Sequence, residues 1–443
     1  MSERLLSVGL DVGTTSTQLV VSRLTVENRA SSFAVPDMDI TDRSVLYKSP
    51  VFFTPLLDES HVDGAAIRAI VEAEYRNAGI RREDVDTGAI IITGETSRKE
   101  NARSVLNALS DFAGDFVVAT AGPDLESVLA AKGAGAVELS RTAGKPVLHM
   151  DIGGGTSNLA FIEDGQIVRT GCLNVGGRLL KFDQNQKITY VSGVLSGIFH
   201  RKPGEIATQQ ELCELAETLT LALEMAAGLR NPTDLMEKLL TEETGQKWNP
   251  PDGKVVLSFS GGVADCIAQD IPWNQFGDLG PILGQTIRES RLCQGEYALG
   301  SETIRATVIG AGSYSTQLSG STVYSQNVRF PLKNLPVTRS PTAFHEGSVV
   351  LSVPGIPSPT YSQVRQIAQE LAQNDPPELY ICLEADMAKA LGQALAMRLS
   401  PAARILCIDR VRVGEDSYLD IGEPVGGAFP VVVKTLVLER RST

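Results

Sequence analysis

Apolar and polar positions along this chain fall into blocks that predict strands joined by glycine-rich turns and by helices. The clearest block is residues 146–168, PVLHMDIGGGTSNLAFIEDGQIV. An apolar strand ends at Asp151, three glycines follow, a second apolar strand leaves Thr156, and Asp164-Gly165 turns it into a third. Residues 8–22, VGLDVGTTSTQLVVS, repeat this at a constant offset of 140 positions: Asp11 falls on Asp151, Gly13 on Gly153, Ser16 on Thr156, Gln18 on Asn158 and Leu19 on Leu159. A single Asp-Gly or Gly-Gly step is an ordinary hairpin signal. Two copies at one offset predict a duplicated unit.

Around these blocks the pattern divides the chain. Residues 24–42 are polar and mixed, and 47–57 form a strand-like run broken by prolines. Residues 64–78 have helical spacing, with Ile67, Ile70, Val71 and Tyr75 on one stripe and Gly79 as a C-terminal cap signal. A buried strand over 85–93 leads into a loop at 94–103 that opens a helix through Leu109, and 115–120 is a further strand. Residues 125–136 predict a helix of small side chains, suited to close packing. Beyond the second repeat, 183–252 departs from α/β alternation, and helices at 209–229 and 232–240 predict an inserted, mostly helical subdomain. Residues 254–267 return to a buried strand ending in Ser260-Gly261-Gly262, and 303–317 contain the turn Gly310-Ala311-Gly312. Pro331, Pro336 and Pro341 mark a boundary, after which strands and helices alternate to the end. The expected units are 1–145, 146–340 with the insertion at 183–252, and a C-terminal α/β unit at 341–443, structural or partner-docking.

Charge and composition remove several classes of function. The net charge of −13, with no basic cluster, argues against nucleic acid. No apolar run approaches the ~20 residues of a membrane span, and the first ten residues lack a leader pattern. The six cysteines are scattered without Cys-x-x-Cys spacing, as expected of reduced thiols in a cytoplasmic protein and not of a metal or disulfide framework.

The chemistry lies in the two repeats. Glycines beside Thr156 let backbone N–H groups approach a phosphate, because no Cβ stands in the way. An aspartate at the mouth of such a loop is placed to hold a hydrated Mg²⁺. Neither loop is followed by lysine or runs straight into a helix, so neither is a strand-to-helix phosphate loop. The paired glycines at 261–262 allow a flat ligand face to lie close to backbone. Glu126 has an ordinary reading as a first-turn helix carboxylate.

In order, the loop from Asp11, the connector at 125–136, the loop from Asp151, the Ser-Gly-Gly turn and the Gly-Ala-Gly connector resemble the signature set of the actin, heat-shock chaperone and sugar-kinase ATPase superfamily. The resemblance covers most of residues 1–330 and implies two RNase-H-like halves closing on Mg-ATP. It implies that Asp11 and Asp151 hold Mg²⁺ and its waters, and that Gly13, Thr14, Thr15, Gly153, Gly154, Gly155 and Thr156 bind the phosphates. It further implies that Gly261, Gly262 and Gly310 line the nucleotide, and that Glu126 stands where chaperone-type members keep a catalytic carboxylate. Lys99 matches the superfamily's lysine poorly and is left unassigned.

Over its whole length, through GLDVGTTSTQLVVS, TGETSRKENAR, MDIGGGTSNLA and YLDIGEPVGGAFPVVVKTLVL, the chain resembles the EutA family of ethanolamine ammonia-lyase reactivating factors. That resemblance implies a chaperone that uses ATP to release damaged cobalamin from the lyase. Intact adenosylcobalamin then enters the lyase and is assigned no site on this chain. A metabolic microcompartment, a second small subunit and a homodimer are left open. Three rivals share the fold: a small-molecule kinase, an electron-donating dehydratase activator and a filament-forming ATPase. No convincing general base marks the first, no cysteine pair the second, and no feature the third.

Overall fold

The computed structural model describes residues 3–13, 16–29, 38–58, 61–93, 117–120, 123–241, 244, 248–314, 316–320, 322–339, 349–373, 375–411, 413, 417–424 and 428–435. The helix expected through Leu109, together with Lys99, Thr14 and Thr15, lies outside them.

The first repeat becomes a hairpin of β1 (Glu3–Val12) and β2 (Ser16–Asn28), extended by β3 (Met38–Lys48) and the short β4 (Phe52–Phe53). Residues 24–42, polar in sequence, supply the end of β2 and the start of β3. There Leu24 and Val26 face inward while their neighbours Arg23, Thr25 and Glu27 cover the other side. Helix α1 (Gly64–Ala78) starts where the Asp63 side chain accepts the Ala66 N–H at 3.0 Å, and ends at Gly79, whose φ of 68° suits glycine. Its stripe of Ile67, Val71 and Tyr75 packs on Val8, Leu10 and Val12. Strands β5 (Thr87–Ile92) and β6 (Val117–Thr120) then join parallel to β1, giving the order β3-β2-β1-β5-β6.

After helices α2 (Pro123–Gly133) and α3 (Ala136–Ala143), the second repeat builds the same sheet again. Strands β7 (Val147–Ile152), β8 (Ser157–Glu163) and β9 (Gln166–Leu173) are antiparallel, and β12 (Val256–Ser260) and β13 (Tyr297–Leu299) add in parallel, in the order β9-β8-β7-β12-β13. The duplication holds residue by residue. Asp11 pairs with Gln18 as Asp151 pairs with Asn158, and the turn bond from Gly13 N–H to Ser16 O recurs from Gly153 N–H to Thr156 O, both 2.9 Å. Two RNase-H-like sheets related in this way form the actin-like ATPase fold.

Between β9 and β12 lie the β10 (Leu180–Phe182) and β11 (Ile188–Val191) hairpin and helices α4 (Gln209–Ala226) and α5 (Asp234–Leu239). Leu212, Leu215, Leu219 and Leu223 of α4 share one core with Leu148, Met150 and Phe259 of the sheet. The insertion therefore thickens the second half and makes no core of its own. Helices α6 (Gly262–Ala268) and α7 (Gly280–Glu289) close that half.

The connecting helices exchange sheets. Helix α2 leaves the first sheet and is fastened to the second, where Thr170 Oγ1 donates to Asp124 at 2.6 Å and Ser127 Oγ to Gly171 O at 3.2 Å. Helix α8 (Ala306–Tyr314) leaves the second sheet and packs on β1, β2 and β5 of the first. Ser7 Oγ donates to Gly312 O, and the backbones at Gly9 and Gly312 touch. The two helices cross where Gly133 lies on Ala306 and Gly310 on Leu129, backbone to backbone.

The C-terminal unit begins earlier than its prolines suggest. Its eight-stranded sheet takes in β14 (Thr316–Leu318), β15 (Tyr324–Gln326) and β16 (Leu332–Thr338), then β17 (Val350–Val353), β18 (Glu378–Leu383), β19 (Arg404–Ile408), β20 (Ser417–Ile421) and β21 (Pro430–Thr435). Its order is β14-β21-β20-β16-β17-β18-β19-β15. Pro336 sits within β16, beside a register shift between Leu332 and Leu335 that accommodates it. Helices α9 (Tyr361–Leu371) and α10 (Ala388–Ala396) pack on the parallel strands β17 to β19. No helix among the described residues is long and apolar enough to cross a membrane.

The crossing yields a prediction. A Cβ at Gly133 would stand 1.9 Å from Ala306 O. Gly133→Ala gains about 1 kcal/mol of helix propensity, but forcing the backbones apart costs about 1–3 kcal/mol. Net destabilisation, read from the denaturant midpoint at unchanged slope, is the expected outcome. A stabilised variant would contradict the crossing.

Candidate functional site

The duplicated hairpins end at one cavity of about 260 Å³ lined from both sheets. Asp11 comes from β1 and Asp151 from β7, and both are nearly lost from solvent, at 8% and 6% exposure. Each is held by hydroxyls. Thr93, one residue past β5, donates to Asp11 at 2.9 Å. Ser260, at the end of β12, donates to Asp151, and Thr307 of α8 reaches its other oxygen at 3.5 Å. Behind Ser260 lies the buried His149, with Nε2 2.9 Å from Ser260 Oγ and Nδ1 3.1 Å from Ser258 Oγ. Because Ser260 gives its proton to Asp151, it accepts from Nε2–H, and Nδ1 accepts from Ser258. One directional chain of hydrogen bonds thus orients the Asp151 carboxylate.

Burial raises both acids. Desolvation pushes Asp11 up to about 7, opposed by the Thr93 hydroxyl and aided by the charge of Asp151. Desolvation likewise pushes Asp151 up to about 6, opposed by Ser260 and Thr307. Burial alone pushes His149 down to about 3, so it is neutral, as the chain of hydrogen bonds requires.

Two buried carboxylates without a cationic partner among the described residues form a donor set for a hard divalent cation. No group of three or more candidate metal ligands occurs among the described residues. A cation here would therefore keep waters or ligand oxygens in its remaining positions, as Mg²⁺ does. Glycines supply the rest of the cradle. A Cβ at Gly155 would stand in open space facing the cavity, whereas at Gly261, with φ of 84°, it would lie 2.3 Å from Ile152 O. Gly153, Gly154, Thr156, Gly262 and Gly13 also line the cavity, and Glu126 reaches it from α2, half-buried. Backbone amides around two acids that face a cation can take a phosphate chain.

Gly310 is not on the cavity. It occupies the helix crossing, and Thr307, one turn earlier, is the α8 residue that reaches Asp151. Sequence reasoning also passed over Thr93, His149, Arg178, Asp265 and Asp278. Thr93 carried one usable signal, a lone hydroxyl closing an apolar strand. Cys266 lines the cavity too, but burial pushes its thiol up to about 12, which leaves it protonated and unreactive.

The family model described as "Ethanolamine utilisation protein EutA" matches residues 3–348 and 342–439. The chain is 37% identical over 473 residues to "Ethanolamine ammonia-lyase reactivase EutA" of Salmonella typhimurium, an alignment covering 98% of this chain and 99% of that one. It is 37% identical over 474 residues to the Escherichia coli protein of the same name, with the same coverage. Among solved structures it is similar to the Aquifex aeolicus PPX-GPPA enzyme, at 13% identity and a TM-score of 0.43, over 70% of this chain and 99% of that one.

The raised acids predict a pH dependence. Between about pH 4 and pH 7 the folded protein keeps protons on Asp11 that the unfolded chain has released, so this group lowers stability as pH rises. His149 acts oppositely, because the unfolded chain protonates it first as pH falls. Comparing Asp11→Asn with the parent separates the two. Without divalent cation, the variant should gain on the order of 2–4 kcal/mol relative to the parent between pH 4 and pH 7. Mg²⁺ should stabilise the parent more than the variant at pH 7. Thermal melts across that range check both, and a relative gain in the opposite pH direction would refute the assignment.

Proposed function

The chain belongs to the family of the ethanolamine utilisation protein EutA, and from that membership we propose that it is an ATP-driven reactivase of ethanolamine ammonia-lyase. It releases damaged cobalamin from the lyase, working beside it in the cytoplasm, so that intact adenosylcobalamin can enter. The observation that carries the nucleotide part of this reading is the pair of buried carboxylates, Asp11 and Asp151, set under two glycine loops at one cavity.

In this reading Asp11 and Asp151 hold a hydrated Mg²⁺, fixed in direction by Thr93 and by Ser260, Thr307 and His149. When bound, the ion neutralises charge on the phosphate oxygens. The N–H groups of residues 154–156 cradle the phosphates, Gly13 and Gly153 hold the two turns closed through their bonds to Ser16 O and Thr156 O, and Thr14 and Thr15 contribute from the first loop. Gly261 and Gly262 bring backbone close enough for the adenosine to lie flat. Glu126, carried on α2, accepts a hydrogen bond from the attacking water and orients it in line with the terminal phosphate. Its half-exposed position suits a group that must exchange water.

Coupling to the lyase follows from the exchanged connectors. Each half is fastened to a helix that the other half's chain supplies, so opening or closing the cavity turns α2 against α8 at a backbone contact. ATP and ADP bias that rotation only through their different affinities for the two arrangements. The lyase feels the cycle if it binds one arrangement better than the other.

The test uses lyase inactivated with cyanocobalamin. Parent protein with Mg-ATP and free adenosylcobalamin should restore activity, and omission of ATP should prevent it. Asp11→Asn and Asp151→Asn should each lower ATP turnover at least about 100-fold and abolish recovery. Parent-like turnover in both variants would refute the site. ATP turnover without recovery would point instead to a small-molecule kinase, sought through phosphorylated products.

A further inference from the structure

The cavity is acidic: Asp11, Glu126, Asp151, Asp265 and Asp278 all line it. Among its described lining residues the one cationic side chain is Arg178. A triphosphate entering such a cavity needs positive charge beyond a single divalent ion, because glycine amides supply only partial charges.

Arg178 is built into the second phosphate loop. Gly177 N–H donates to Gly153 O at 3.0 Å and Arg178 N–H to Gly154 O at 2.6 Å, so the arginine moves with the loop that would hold the phosphates. Among the described residues its side chain has two partners. Nε donates to Asp278 at 3.1 Å, and Asp278 is itself fixed by the Gly280 N–H at the start of α7, at 2.9 Å. The guanidinium also lies over the ring of Phe53, 5.5 Å from its centroid. Phe53 belongs to β4 of the first half and is 79% exposed. The arginine belongs to the second half, so this contact spans the cavity mouth.

We propose that Arg178 reads the terminal phosphate and couples it to the cavity mouth. Without a triphosphate it rests on Asp278 and Phe53 and ties the two halves together. With a triphosphate it keeps Nε on Asp278, turns its two Nη groups to the terminal phosphate and releases Phe53. The direction of exchange follows from the partners. A guanidinium over an exposed ring is weakly held, whereas a guanidinium–phosphate fork is a strong, two-pronged contact. The inference rests on the nucleotide reading above and adds which residue distinguishes triphosphate from diphosphate.

The experiment is calorimetric titration of the full-length protein with Mg-ADP and with a non-hydrolysable Mg-ATP analogue. Parent protein should prefer the triphosphate. Arg178→Gln should weaken triphosphate binding about 10- to 100-fold and leave diphosphate binding within about twofold. Arg178→Lys, which keeps the charge and loses the fork, should fall between them. Phe53→Ala, which removes the competing resting place, should tighten triphosphate binding about 2- to 5-fold. Equal weakening of both nucleotides in Arg178→Gln, or weakening of neither in a variant that melts like the parent, overturns the role of Arg178. If the parent binds neither nucleotide, the nucleotide reading fails first and this inference falls with it.

Discussion

Two carboxylates buried within reach of each other's charge are the constraint around which this molecule is arranged. Burial raises both acids, the charge of Asp151 raises Asp11 further, and no side-chain cation among the described residues relieves them. The fold holds such a pair only because each acid is caught by hydroxyls on the rigid ends of neighbouring strands. The two supports differ. Among the described residues Asp11 has Thr93, while Asp151 has Ser260, Thr307 and the His149 chain behind it. At both acids these hydrogen bonds favour the charged form and oppose what burial imposes. Folding therefore leaves electrostatic free energy unpaid at this point, and a divalent ion would recover it.

The exchanged helices tie the two halves together around the site. Each hairpin and its acid is a stiff unit, with β1 and β7 almost wholly buried. The units meet at a crossing lined by Gly133 and Gly310, where backbone rests on backbone. Thr307 belongs to the helix packed on the first sheet yet bonds to the acid of the second. Glu126 sits on the opposite connector, bonded through its neighbours Asp124 and Ser127 to the second sheet. The surroundings of the acids therefore depend on how α2 and α8 cross.

Legibility in the sequence followed the length scale of each interaction. The duplicated hairpins could be read because a strand, an acid and glycines recur at one offset, and the observed registers repeat at that same offset. The C-terminal strands and helices from β17 onward could be read because their periodicity is local. Three features could not. Pro336 was read as punctuation because a bulge that tolerates proline is a property of strand pairing, invisible until the partner strand is known. The insertion looked separate because its leucines give no hint that they share a core with Met150 and Phe259. Gly310 was read as a nucleotide contact because small residues near a ligand and small residues at a helix crossing look alike in a single sequence. Arg178 is a lone arginine after two glycines, and only the fold shows that it pairs with Asp278 on a cavity that four further acids line.

The same crossing also gives the C-terminal unit a physical connection to the site. Val432 of β21 packs in one small cluster with Ala89 and Ile91 of β5, Leu129 of α2 and Ala311 of α8. Leu129 is the residue against which Gly310 rests. The third sheet is therefore seated on both connector helices at the point where they turn on each other, while Leu318 of β14 packs against Leu5, Leu24, Val26 and Ile40 of the first sheet. Rotation of α2 against α8 cannot leave Val432 undisturbed, because its neighbours lie on both. A unit that contributes no residue to the lining of the cavity is thus packed on the helices that frame it. Packed cores shift between discrete arrangements more readily than they deform continuously, so a small change at the acids can reappear as a displacement of the whole C-terminal sheet.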